Sequence, residues 1–257
     1  MEAPVRSPET LLEPHARVLA RIRAAVGVPD RHWARLHEPA ILGLADLVQA
    51  LPASEAHHHA EAGGLLRHIL EVAEVALQLR QGALLPPGAS ADELARAQDL
   101  WTYACLTAAL LHDAAKPVAD LEVMLLGGRG EALGPWSPLL GPMRAQGAAA
   151  YRARFRRQRR HRRHERLGAL LIHHVVPAEG LRWLGEEPAA LEAWLAAVQG
   201  DLAAAGPLGE LVAEADRISV ARDLAGARRR PRRGGPCRSP GAWRRASGSC
   251  CGRAGFR

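Results

Sequence analysis

Apolar residues recur along this chain at intervals of three and four, the period of a helix buried on one side. Residues 9–27 carry one such stripe, and Leu36, Ile41, Leu44, Leu47, Val48 and Leu51 carry a second, which Pro52 interrupts. After the polar, glycine-ended SEAHHHAEAGG, the run LLRHILEVAEVALQLRQG places Leu65, Ile69, Val72 and Ala76 on one face, and Gly82 and the Pro86-Pro87-Gly88 turn end it. The spacing predicts a long helix over 91–115 that becomes apolar nearly all round in WTYACLTAALL, as a helix does inside a bundle, and that stops at Lys116-Pro117. The stretch 127–147, rich in Gly and Pro, reads as loop. An arginine-dense segment, YRARFRRQRRHRRHER, leads into LGALLIHHVVP, and helices over 181–200 and from 208 to about 224 complete the pattern.

Composition supports an all-α fold, because Phe and Tyr occur only twice each and residues favoured in strands are scarce. Beyond residue 226 the chain changes character: no apolar period, no acid, and heavy use of Arg, Gly, Pro and Ser. The division is therefore a helical lead-in over 1–54, a body over 55–226 and a basic low-complexity tail over 227–257, disordered or out of frame. The formal charge of +7 lies in that tail: ten of the 34 basic residues fall in 228–257, so the remainder holds 24 basic against 27 acidic groups, a net −3. Cys237, Cys250 and Cys251 share the tail and Cys105 stands alone, which is neither a disulfide framework nor a zinc spacing, and a reducing cytoplasm fits best. No apolar run reaches the roughly 18 residues a bilayer span needs, so no membrane insertion is expected.

Four polar side chains sit on apolar faces. His68 is in register with Leu65, Val72 and Ala76; His112 and Asp113 end the most apolar helix; Asp216 is flanked at helical spacing by Val212, Ser219 and Val220. Any one of them would ordinarily be structural. Two inward carboxylates beside two inward imidazoles, however, ask for a cation, since a buried carboxylate costs several kcal/mol unless compensated. Mixed imidazole and carboxylate donors suit a divalent transition metal such as Mn, Fe, Co or Zn.

GGLLRHILEVA, LLHDAAKP and EADRISV resemble, in order, the H, HD and D elements of the HD superfamily of metal-dependent phosphohydrolases. The resemblance covers roughly residues 55–225. It implies an HD-type helical bundle in which His68, His112, Asp113 and Asp216 hold a divalent metal, with Asp113 and Lys116 in the catalytic set. His164 resembles the extra histidine of members that hold two ions. His173 and His174 resemble a further paired element, although on one continuous helix His173 would face about 180° away from His164, so both bind only if the helix breaks.

The triplet His57, His58 and His59, just ahead of GGLLRH, is similar to the three-histidine signature of MobH relaxases, the DNA-nicking enzymes of conjugative elements. That likeness implies nicking at a transfer origin, with the triplet donating to the scissile phosphate or acting as acid toward the leaving oxygen, and with conjugation accessory proteins as partners. Arg152, Arg154, Arg156, Arg157, Arg159, Arg160, Arg162 and Arg163 would supply the cationic face for DNA. Two other classes remain open at this point. A nucleotidase or cyclic-dinucleotide phosphodiesterase would need the metal quartet without the arginines, and a silent DNA-binding accessory domain would need the arginines without the metal.

The tail carries nothing able to join a core. A chain shortened to end at Gly226 is expected to melt at an unchanged temperature and to lose only part of its non-specific DNA affinity; a large drop in melting temperature would show that the tail packs.

Overall fold

The computed structural model describes residues 1–55, 59–158 and 163–229, and for Arg163 and residues 226–229 the backbone alone. The expectations for His57 and His58, for Arg159, Arg160 and Arg162, and for the tail past residue 229 lie outside the described residues. In chain order the elements are β1 (Glu2–Pro4), α1 (Pro8–Leu12), α2 (Ala16–Val26), α3 (Asp30–His32), α4 (Glu38–Val48), α5 (Gly64–Arg80), α6 (Ala91–Leu111), α7 (Lys116–Asp120), β2 (Leu121–Leu126), β3 (Ala132–Pro135), β4 (Ala150–Phe155), α8 (Arg163–Leu167), α9 (Ile172–Val175), α10 (Ala178–Gly185), α11 (Pro188–Val198) and α12 (Leu202–Arg229). Helix dominates, as the apolar period predicts. No helix among the described residues is long and apolar enough to cross a membrane.

The centre of the molecule is α6. Ser90 caps it through a reciprocal box with Glu93, and every residue from Leu100 to Leu111 is buried. Helix α5 packs along it, α11 packs on another side, and α12 lies across α5 and α11. The same core takes in Ile22 of α2 and Ile41, Leu44 and Leu47 of α4, so the lead-in helices pack continuously with the body. α12 is two helices joined at Gly206, which adopts φ 56° and ψ −142° ahead of Pro207. That break coincides with the start expected near 208, and it aims the second half at α5.

The chain departs from the sequence reading in several places; the helix expected over 181–200 is split into α10 and α11 at Glu186 and Glu187. Helix α6 stops at Leu111 rather than 115, and residues 112–115 form a tight turn before α7. The lead-in stripe over 9–27 breaks into α1, a 3-10 turn at Glu13–His15 and α2, because Pro14 offers no backbone N–H. The region from 121 to 155, of which 127–147 reads as loop and the stretch from Tyr151 as arginine segment, supplies three strands that join β1 in a four-stranded antiparallel sheet in the order β1-β4-β2-β3. In β2, Leu121, Val123 and Leu125 turn inward, opposite Phe155, Ala153 and Tyr151 of β4. The outward Glu122 faces Arg154.

Two adjacent glycines shape the entry to α5, one by its left-handed backbone and one by close approach. Gly63 takes φ 77°, and a Cβ on Gly64 would lie 2.0 Å from the His59 carbonyl oxygen, so this pair lets the segment before α5 seat on the helix start. A buried histidine also shapes the lead-in. His37 stacks on Trp33 (5.7 Å between centroids, 4° between planes) and meets Tyr103 edge-on at 5.2 Å. Burial, opposed weakly by the His32 backbone, pushes its imidazole down to about 4.

Because the unfolded chain takes up this proton near the ordinary value of 6.5, the contribution of His37 is complete above that pH and is lost as pH falls toward 4. The expected loss is up to about 3 kcal/mol. Chemical denaturation at pH 7 and pH 4.5 should show a smaller pH-dependent loss for His37→Phe than for the parent; equal losses would mean the ring is solvated.

Candidate metal centre

Three elements converge on one point. His68 comes from the first half of α5, His112 and Asp113 from the turn that ends α6, and Asp216 from the second half of α12. His68 Nε2 lies 3.3 Å from Asp113 Oδ2 and 3.2 Å from Asp216 Oδ1, and 3.4 Å from His112 Nε2. One ligand atom from each of His68, His112 and Asp113 falls within 4.8 Å of the others. His68 is fully buried and Asp113 nearly so, whereas the Asp216 side chain is 41% exposed and forms the rim.

The donor set fits a divalent cation. His112 Nδ1 lies 2.7 Å from the Ala109 carbonyl oxygen, which only accepts, so Nδ1 carries the proton and Nε2 presents its lone pair to the cluster. Ring nitrogens and carboxylate oxygens converging without an intervening apolar group are the donors such an ion takes.

The electrostatics hold Asp113 ionised. Burial alone would raise its carboxyl, but the Lys116 ammonium 2.5 Å away, His112, and hydrogen bonds from His164 and His68 outweigh that and keep it well below the usual carboxylate range. Asp216 behaves likewise: burial raises it and His68 and His112 lower it further. The two imidazoles diverge. Burial lowers His68, but Asp113 and Asp216 more than compensate and its net shift is upward, whereas burial prevails at His112 and its net shift is downward.

His164 Nε2 reaches the other oxygen of Asp113, Oδ1, at 3.1 Å. Asp113 therefore faces His68, His112 and Lys116 through Oδ2 and His164 through Oδ1. The helix carrying His164 does break: α8 ends at Leu167, and a 3-10 turn at Gly168–Leu171 precedes α9. The break does not bring the next histidines to Asp113. His173 is exposed, and His174 Nε2 lies 3.2 Å from the Leu139 carbonyl oxygen.

Of the triplet, His59 is described, and it lies behind the cluster rather than in front of it. It is 1% exposed, in the left-handed region at φ 50°, with its ring 5.1 Å from that of His68. Its N–H donates to Asp223 Oδ2 at 3.0 Å and its carbonyl accepts from Ala53 N–H at 3.0 Å. Sequence reasoning missed a set of residues that surround His68 on this hidden side. Ser219 Oγ lies 3.2 Å from His68 Nδ1 and donates to Glu71 Oε2 at 3.2 Å, while Arg67 joins Glu71 (3.1 Å) to Asp223. The signal was present: Glu71 follows His68 by three residues, and Ser219 follows Asp216 by three, so each lies on its ligand's helix face.

The arginine segment is strongly paired. Arg152 binds Glu2 at 2.8 Å, Arg154 binds Glu122 at 2.6 Å, and Arg156 lies 3.7 Å from Glu122. Arg157 is exposed at the end of the strand. Both tyrosines of the chain, Tyr103 and Tyr151, are fully buried, and burial raises both phenols, Tyr151 to about 12. The cluster opens instead into a cleft of about 510 Å³ lined by His112, Asp113, Lys116, His164, Asp216 and Arg217 with apolar walls from Val198 and Val212.

Elemental analysis of the purified protein is expected to show at least about half an equivalent of transition metal per chain, as for a preformed site. Asp113→Ala and His112→Ala should each remove it, and full occupancy in both variants would mean that the metal sits elsewhere.

No curated protein matches the chain. The family model TraI_2, described as "Putative helicase", matches residues 4–236. The sequence itself has no Gly-Lys-Ser/Thr phosphate loop, its one lysine, Lys116, being followed by Pro117. The match runs from β1 through the whole of α12 and takes in every residue of the cluster, and on that basis this chain belongs to the TraI_2 family.

Proposed function

We propose that residues 55–226 form an HD-type metal-dependent phosphodiesterase that acts on DNA, in the manner of a MobH relaxase nicking a transfer origin, with residues 1–54 as its packed lead-in. The convergence of His68, His112 and Asp113, with Asp216 beside His68 at the rim of an open cleft, carries this reading. His164 is the residue that would extend the site to a second ion through Oδ1, the oxygen of Asp113 that it faces.

A bound divalent ion would supply charge neutralisation at a phosphoryl oxygen and a water of lowered pKa. The chain's own groups do the rest. Lys116, at the cleft wall, is placed to exchange its contact with Asp113 for a phosphoryl oxygen and so orient the phosphodiester. Cleavage breaks one P–O ester bond as a P–O bond to the attacking oxygen forms, and the departing alkoxide must receive a proton. His164, in the cleft, and His57 or His58, which precede α5 in the sequence, are the groups of suitable chemistry for that transfer. Because both tyrosines are buried, water is the attacking group in this account. DNA and conjugation accessory proteins are the partners it implies, in the cytoplasm.

A second reading has its own observation. Arg152 and Arg154 are already neutralised by Glu2 and Glu122, and a cleft of about 510 Å³ suits one or two nucleotides, which favours a nucleotidase or cyclic-dinucleotide phosphodiesterase.

The two readings separate in a metal-loaded activity panel. Supercoiled DNA carrying the cognate transfer origin should be nicked, and the double variant His57→Ala/His58→Ala should keep its metal yet lose nicking by at least about 100-fold. Rapid hydrolysis of nucleotides or cyclic dinucleotides with no action on DNA would replace the relaxase reading by the second one. Binding without cleavage by the metal-loaded protein would reduce it to an accessory domain.

A further inference from the structure

We propose that Ser219 and Glu71 are positioning residues for His68: together they fix its ring with the proton on Nδ1, so that Nε2 is held as a metal ligand. This inference rests on the metal reading of the cluster and adds residues outside the quartet.

The argument is one of hydrogen-bond counting. Ser219 has a single hydroxyl proton, and it is given to Glu71 Oε2, an oxygen that accepts only. The contact between Ser219 Oγ and His68 Nδ1 at 3.2 Å then has one consistent direction, Nδ1–H donating to the hydroxyl oxygen. Nε2 is the nitrogen left with a lone pair when the ring is neutral. It is also the nitrogen that lies among Asp113, Asp216 and His112. Both residues are fully buried, and the His68 ring is flanked by those of His59 and His112 at 5.1 and 5.3 Å.

Glu71 is fixed in turn. Its second oxygen accepts from Arg67 Nε at 3.1 Å, and Arg67 also binds Glu61 and Asp223. Asp223, one turn beyond Ser219 on α12, receives the His59 N–H, and His59 Nε2 stands 3.6 Å from Glu71 Oε2. The chain Glu71–Ser219–His68 thus ties α5 to α12 at the level of the site. It has the form by which carboxylates and hydroxyls orient ligating histidines and raise their basicity.

Competition titration with Mn²⁺ or Zn²⁺ alone tests this. Ser219→Ala should weaken binding by about 10- to 100-fold, with a melting temperature of the metal-free protein close to the parent's. Glu71→Gln, which keeps an acceptor oxygen, should lose less affinity than Glu71→Ala, and this pair decides the matter even if Ser219→Ala folds poorly. A nitrogen-15 spectrum of the parent, metal-loaded or metal-free at a pH high enough to leave the ring neutral, should show His68 protonated at Nδ1 and bare at Nε2. Unchanged affinity in Ser219→Ala, or a bare Nδ1 at His68 in the parent, would overturn the proposal. A parent that binds neither ion would defeat the metal reading, and the metal-free spectrum would still decide the tautomer.

Discussion

One buried carboxylate sets the terms for the rest of this molecule. Asp113 sits at the end of the most apolar helix, where an uncompensated negative charge would cost several kcal/mol. Its compensation comes from four side chains: His68 on α5, His112 beside it, Lys116 one turn on, and His164 on α8. Helices α5 and α8 bring His68 and His164 to the end of α6, and α12 adds Asp216, a second carboxylate that shares His68. The kink at Gly206 belongs to the same constraint, because it redirects α12 so that Asp216 and Ser219 reach His68.

A second feature follows from charge. The segment richest in arginine is threaded through β4, whose inward residues Tyr151 and Ala153 anchor it and whose outward arginines meet Glu2 and Glu122. These exposed pairs contribute little to stability, on the order of 0–1 kcal/mol each. They do hold the cations in a fixed array, and a phosphate would have to displace a carboxylate to bind there. At Arg152 and Arg154 the attraction for a polyanion is therefore weaker than two unpaired arginines would give.

The four residues of the cluster were legible in the sequence because helix periodicity states which side chains point inward, and a polar residue on an apolar stripe is a conspicuous exception. The same logic placed the break near 208 and the ends of α5. It did not reveal the sheet, whose strands are short and whose alternation in LEVMLL and AYRARF is masked by neighbouring glycines and arginines. Nor did it place His59 behind His68, since that depends on a tertiary approach through Gly63 and Gly64. Glu71 and Ser219 lay at the right spacing, but three-residue spacing is common, and only the meeting of α5 with α12 turns it into a network.

The central claim, that His68, His112, Asp113 and Asp216 form one metal centre, is tested most directly by anomalous diffraction from crystals grown with Mn²⁺. The account predicts an anomalous peak bounded by His68 Nε2, His112 Nε2 and carboxylate oxygens of Asp113 and Asp216, at ligand distances of about 2.0–2.3 Å. A crystal with no peak there, or with its peak at His173 and His174 instead, would contradict it.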